Sequence, residues 1–253
     1  MLILLLLAVP VGLIGAVVAK ALLWLIAEIT NVVFFQRFSA QLPSLQGHHL
    51  GPWVIAAPIA GAIIIGLIAR YGSEKIRGHG IPEALEAILL GGSLIHPKIA
   101  ILKPVSSAIS IGTGGPFGAE GPIIMTGGAF GSILAQLFHL SAAERKTLLV
   151  AGAAAGMSAV FAAPMAATLL AVELLLFEWR PRSFIPVTVA SLVAALFRAT
   201  LLGPGPIFPV AAHSLLDSRI VAAAFVIGAG SGFASAALTW LVYFCEDLFL
   251  KVP

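Results

Sequence analysis

Apolar residues run along this chain in blocks of two lengths. Long blocks cover residues 2–35, 53–70, 184–202 and 220–250. Each is long enough, as a helix rising ~1.5 Å per residue, to cross ~30 Å of hydrocarbon. Shorter blocks cover residues 82–90, 97–111, 121–138, 147–161 and 164–177. Four Gly/Pro-rich interruptions bound them: "GHGIP", "GGSLIHP", "GTGGPFGAEGP" and "FAAP". Several of these blocks are too short to span. Short, interrupted apolar segments of this kind mark discontinuous helices, whose unwound backbone is tolerated at membrane depth only against protein or a water-filled cavity.

The pattern predicts an all-α polytopic membrane protein, and composition agrees. Of 253 residues, 60% are hydrophobic and 10% charged, against roughly 25% charged in soluble domains. The first block lacks the basic start of a signal peptide and outruns its apolar core, so it reads as a first membrane helix. Net charge is +3 without a basic cluster, which points away from nucleic acid and towards loop charge. The single cysteine, Cys245, excludes an intrachain disulfide. Arg70, Lys75 and Arg77, and then Arg180 and Arg182, predict two cytoplasmic loops. Residues 38–52 hold no Lys or Arg and predict an exterior one. The Gly127/Gly131 and Gly152/Gly156 pairs predict close helix packing.

Chemistry concentrates at two of the interruptions. In "GHGIP", Pro82 is preorganised for a first helical turn, and in "GAEGP" Pro122 is placed alike. A helix N-terminus presents unpaired N–H groups and partial positive charge. Two such ends aimed at one point, with glycine backbone between them, suit a monovalent anion. Glu120 is the one carboxylate in its interruption, and ionisable groups at membrane depth are costly and usually functional. Beside a helix N-terminus it either competes with the anion as a gate, released by protonation, or caps the following helix.

Other chemistries fit less well. "GTGGPF" ends the G-x-G-x-x-G pattern on Phe117, outside any βαβ context. Ser158 in "AGMSAV" resembles an intramembrane nucleophile only superficially, since no later apolar segment supplies a histidine base. Adjacent His48 and His49 sit in a polar loop and make a poor metal site. No cofactor and no enzymatic activity are expected.

These motifs resemble those of the CLC family of chloride channels and chloride/proton antiporters. Gly78-His79-Gly80-Ile81-Pro82 is similar to the family's Gly-Ser-Gly-Ile-Pro, and Gly118-Ala119-Glu120-Gly121-Pro122 to its Gly-Lys/Arg-Glu-Gly-Pro. "GAAAGMSAVFAAP", residues 152–164, is similar to its "GAAAG…FNAP" segment. The resemblance implies a CLC-type bundle of tilted and discontinuous helices, made of the first inverted repeat plus one further helix. It implies anion binding at Gly78, His79, Gly80, Ile81, Pro82, Gly118, Ala119, Gly121 and Pro122, with Glu120 as gate. His79 replaces the family's anion-contacting serine, and Ala119 its basic neighbour of the gate. Glu173 stands at the first of two acidic positions and implies a possible proton path. Leu174 replaces the second, which antiporters use as internal proton acceptor, so channel-like or weakly coupled chloride transport is expected. The family's second half supplies a Gly-x-Phe-x-Pro helix start and a tyrosine. "GPIFP", residues 205–209, places its phenylalanine one position late, and Tyr71 and Tyr243 sit in other contexts. Residues 1–253 are therefore expected to form one transmembrane region equivalent to the first half of a pore, the second half absent. The alternative is a partial chain not competent for transport alone. Further expectations are a homodimer, as in the family, in contact with membrane lipid in a bacterial inner membrane.

Overall fold

The structure, a computed structural model, describes residues 1–45, 47–48, 50–78, 80–203 and 218–249. His79 and the "GPIFP" stretch lie outside them. Among the described residues all regular secondary structure is helical, without strands. Nine α-helices follow in order: α1 Leu2–Phe35, α2 Ala56–Tyr71, α3 Ile81–Leu89, α4 Pro97–Gly112, α5 Glu120–Leu137, α6 Ala142–Phe161, α7 Pro164–Ala171, α8 Pro181–Leu201 and α9 Ser218–Phe249. A 3₁₀ stretch, Gly51–Ile55, leads into α2, and a π turn, Val172–Leu176, continues α7. Four spans are long and apolar enough to cross a membrane: Leu2–Phe35, Gly51–Tyr71, Pro181–Leu201 and Arg219–Cys245. They coincide with the four long blocks of the sequence. The chain is an integral membrane protein.

The fold divides into two compact units, residues 1–207 and 208–253. The second contains α9 alone among its described helices. In the first, α6 is the centre, packed by α1, α5, α7 and α8, and it is buried without interruption from Thr147 to Val160. A helix apolar on every side belongs inside, and its Ala151–Gly156 run of small residues lets neighbours approach to backbone distance. A Cβ on Gly127 would strike the carbonyl of Gly152, and one on Gly152 that of Gly127. The predicted small-residue pairs are thus the α5–α6 contact itself. Large apolar side chains turn outward instead, as on α2, where Ile59, Ile63 and Leu67 are exposed.

One boundary departs from the sequence reading. The apolar block at residue 147 begins five residues after the helix does. Ser141 and Glu144 form a capping box, Ser141 Oγ accepting from the Glu144 N–H and Glu144 Oε2 accepting from the Ser141 N–H at 3.0 Å. That pattern starts a helix in polar sequence, ahead of the hydrophobic signal.

Candidate functional site

The two glycine-rich interruptions meet. Gly80, with φ +108°, lies so close to Gly121 that any Cβ would collide with the Gly121 backbone. Only glycine combines that left-handed φ with that approach. The N-termini of α3 and α5 are therefore neighbours. Pro82 and Pro122 occupy their first turns. Of the remaining early N–H groups, those of Ile81, Glu83, Glu120 and Gly121 donate to no described residue. Such groups are the donors a helix start leaves over. Gly78, Gly118 and Pro122 further line one cavity of about 340 Å³.

Glutamates open three helices here, and they behave differently. Glu144 closes its capping box, and Glu83 Oε2 accepts the Gly80 N–H at 2.6 Å. Both stand at the third helical position, from which a side chain reaches back to the cap residue. Glu120 stands at the first position of α5, behind Ala119 as cap residue. From there it cannot close such a box, and its exposed carboxylate accepts no hydrogen bond among the described residues. The capping alternative for Glu120 finds no bond in this structure.

Two further residues hold the site, and neither stood out in the sequence. Glu83 fixes the Gly80 turn as above, its other carboxylate oxygen filling the space a side chain on Gly78 would need. Lys103, only 1% exposed on α4, donates from Nζ to the carbonyls of Ile76 and Gly78, each at 2.9 Å. It thereby satisfies both carbonyls in the loop that leads into α3. A lysine in the interior of the 97–111 apolar block was the available signal, by the same rule that drew attention to Glu120.

The other predicted positions fall apart from this centre. Glu173 is exposed on the π turn and does not line the 340 Å³ cavity. Leu174 beside it is 43% exposed. Ser158 is fully buried and donates Oγ to the Ser191 carbonyl at 2.8 Å, while Ser191 Oγ donates to the Pro164 carbonyl. These bonds tie α8 across the "FAAP" break and give Ser158 a packing role. Among the described residues no group of His, Cys, Asp and Glu side chains is disposed to hold a metal ion.

Residues 60–253 match the family described as voltage gated chloride channel. The chain is 28% identical over 253 residues to the H(+)/Cl(-) exchange transporter ClcA of Salmonella arizonae, covering 95% of this chain and 50% of that protein. It is 29% identical to ClcA of Citrobacter koseri with the same coverage. It thus spans about half the length of the curated relatives it matches. The crystal structure of a slow cyanobacterial Cl-/H+ antiporter matches 99% of this chain and 59% of that one, with a TM-score of 0.76 at 20% identity. That likeness shows the fold.

Proposed function

The chain belongs to the voltage gated chloride channel family, and from that premise we propose that it moves chloride, or a similar monovalent anion, across the membrane. The anion sits against the free N–H groups of α3 and α5, where Gly78, Gly80, Ile81, Gly118, Ala119 and Gly121 bring backbone rather than cationic side chains to it. Backbone dipoles hold an anion without the strong, slowly released pairing of a lysine. Pro82 and Pro122 preset the two helix starts, and His79, between Gly78 and Gly80 in the sequence, belongs to the same proposed anion-binding set. Glu120 is the gate. Its carboxylate competes with the anion for the same N–H groups, and protonation removes the competitor.

The observation that supports the gate is the contrast among the glutamates: Glu83 and Glu144 are held in caps, whereas Glu120 is free to move. Leu174 cannot carry a proton, so movement is channel-like or weakly coupled, with Glu173 the remaining acidic group on a proton path. The relatives named H(+)/Cl(-) exchange transporters are the competing precedent. As in the family, the working unit is a homodimer.

The test is chloride efflux from liposomes holding the purified chain, beside Glu120→Gln, with external pH recorded. Efflux is expected, with a pH dependence that Glu120→Gln abolishes. Proton uptake in step with chloride would overturn the inference from Leu174. Folded protein without efflux would favour the alternative, that these residues are not competent alone.

A further inference from the structure

Hydroxyl groups on helices in a membrane normally find an internal acceptor, because lipid offers none. Among the described residues of α1–α8 every serine and threonine hydroxyl does so, with two exceptions. The rest donate to the preceding turn, as Thr126 does to Pro122 at 2.7 Å, or across to another segment, as Ser132 does to Ser93 at 2.6 Å. The exceptions are Ser107 and Ser110 on α4, both half-buried. They are three residues apart and share one face of the helix with Lys103, within roughly 60° of arc at 100° per residue.

Both unpaired hydroxyls line the 340 Å³ cavity that also reaches Gly78, Gly118 and Pro122. Ser106 lines it too, but its hydroxyl already donates to the Lys103 carbonyl at 3.0 Å. The one ionised side chain among the described lining residues is Arg77, and no carboxylate is present. The larger cavity nearby, of about 900 Å³, shares Arg77 and adds Glu74, Glu83 and Glu86 with Lys75 and His96. A site with one cation, two free O–H donors and no carboxylate selects an anion. Its volume is that of roughly ten waters, enough for a small anion that keeps part of its hydration.

We propose that this cavity extends the anion site: the hydroxyls of Ser107 and Ser110, with Arg77 on the same lining, hold a small monovalent anion beside the helix ends where Glu120 stands. The ligand's identity as chloride rests on the transport reading above. The site feeds the gate: an anion there lies against Gly118, two residues from Glu120. Charge focusing in a cavity with low-dielectric walls raises the local anion concentration, which speeds loading without a tight site.

The test uses Ser110→Cys in the full chain with Cys245→Ser, reconstituted in liposomes. The thiol is offered a methanethiosulfonate carrying either a sulfonate or a trimethylammonium group, each rate normalised to a free thiol in solution. The sulfonate reagent should react about tenfold faster, chloride should slow it where gluconate does not, and Arg77→Gln should erase the preference. No reaction, a preference for the cationic reagent, or indifference to chloride would overturn the proposal. The last two results would mark the cavity as a water or proton route instead. Labelling does not require transport. Chloride protection in a chain without efflux would therefore uphold this site while the transport reading fails, and efflux gated by Glu120 without protection would do the reverse.

Discussion

Ala162 is one of five non-glycine residues with positive φ among the described residues. It ends α6 with φ +56°, in the left-handed region, where a Cβ costs about 1–2 kcal/mol. The family motif that "FAAP" resembles has asparagine at this position, a residue that tolerates the left-handed conformation. Ala162→Asn is expected to stabilise the folded protein by about 0.5–1 kcal/mol, read as a higher midpoint in detergent melts. An unchanged or lower midpoint would show that the strain is relieved elsewhere. Glu178, in the loop before α8, carries a different consequence. Its carboxyl lies below the usual carboxylate range, first because Ser183 Oγ donates to it at 2.6 Å and then because Lys146, Arg180 and Arg182 are near. A depressed folded-state value means that its contribution is present above the unfolded value and lost as pH falls through the folded one. The stability gap between the protein and Glu178→Gln should therefore be seen at pH 7 and close under acid. A gap that widens on acidification would contradict that assignment.

At the scale of elements, the α5–α6 contact decides whether the bundle forms. A Cβ on Gly131 would run into the Leu148 carbonyl, and one on Gly156 would meet Ile123. Neither obstacle is a flexible side-chain tip, so the helices themselves must separate. Gly131→Ala is expected to cost about 1–3 kcal/mol and to broaden the size-exclusion peak, whereas Gly66→Ala on α2, with open space at its Cβ position, should leave both unchanged. Equal effects at the two sites would refute the packing argument. The discontinuous helices follow from the same economy of backbone. The α3 helix is nine residues long and cannot span, and Lys103 and Glu83 satisfy the loop that precedes it.

For the molecule as a whole, connectivity and charge make one statement. With its 3₁₀ lead-in, α2 covers 21 residues, about 31 Å as a helix, and separates residues 36–50 from residues 72–80. Loop charge puts the second on the cytoplasmic side. In the Cys245→Ser background, Leu45→Cys should react with an impermeant maleimide on intact cells, and Ser73→Cys only after lysis. The reverse pattern would invert the topology and with it the side from which Glu120 is reached.

Much of this was written in the order of residues. Block lengths gave the membrane helices, because burying backbone in lipid demands helices of fixed length whatever surrounds them. The two Gly/Pro interruptions and the single carboxylate in "GAEGP" marked the candidate site, since those residue types are costly at membrane depth. The early start of α6 was also legible, in Ser141 and Glu144, though a hydrophobicity pattern alone passes over it. What the sequence could not state is which groups meet. That Gly80 abuts Gly121, that Lys103 on α4 ties down Gly78, and that Ser107 and Ser110 keep their hydroxyls free beside Arg77 all join positions 25 to 41 residues apart. Such meetings depend on how α3, α4 and α5 pack, and packing is set by the whole bundle at once. Local pattern decides where helices are; only the tertiary structure decides which of their donors are left without a partner, and those are the groups available to an ion.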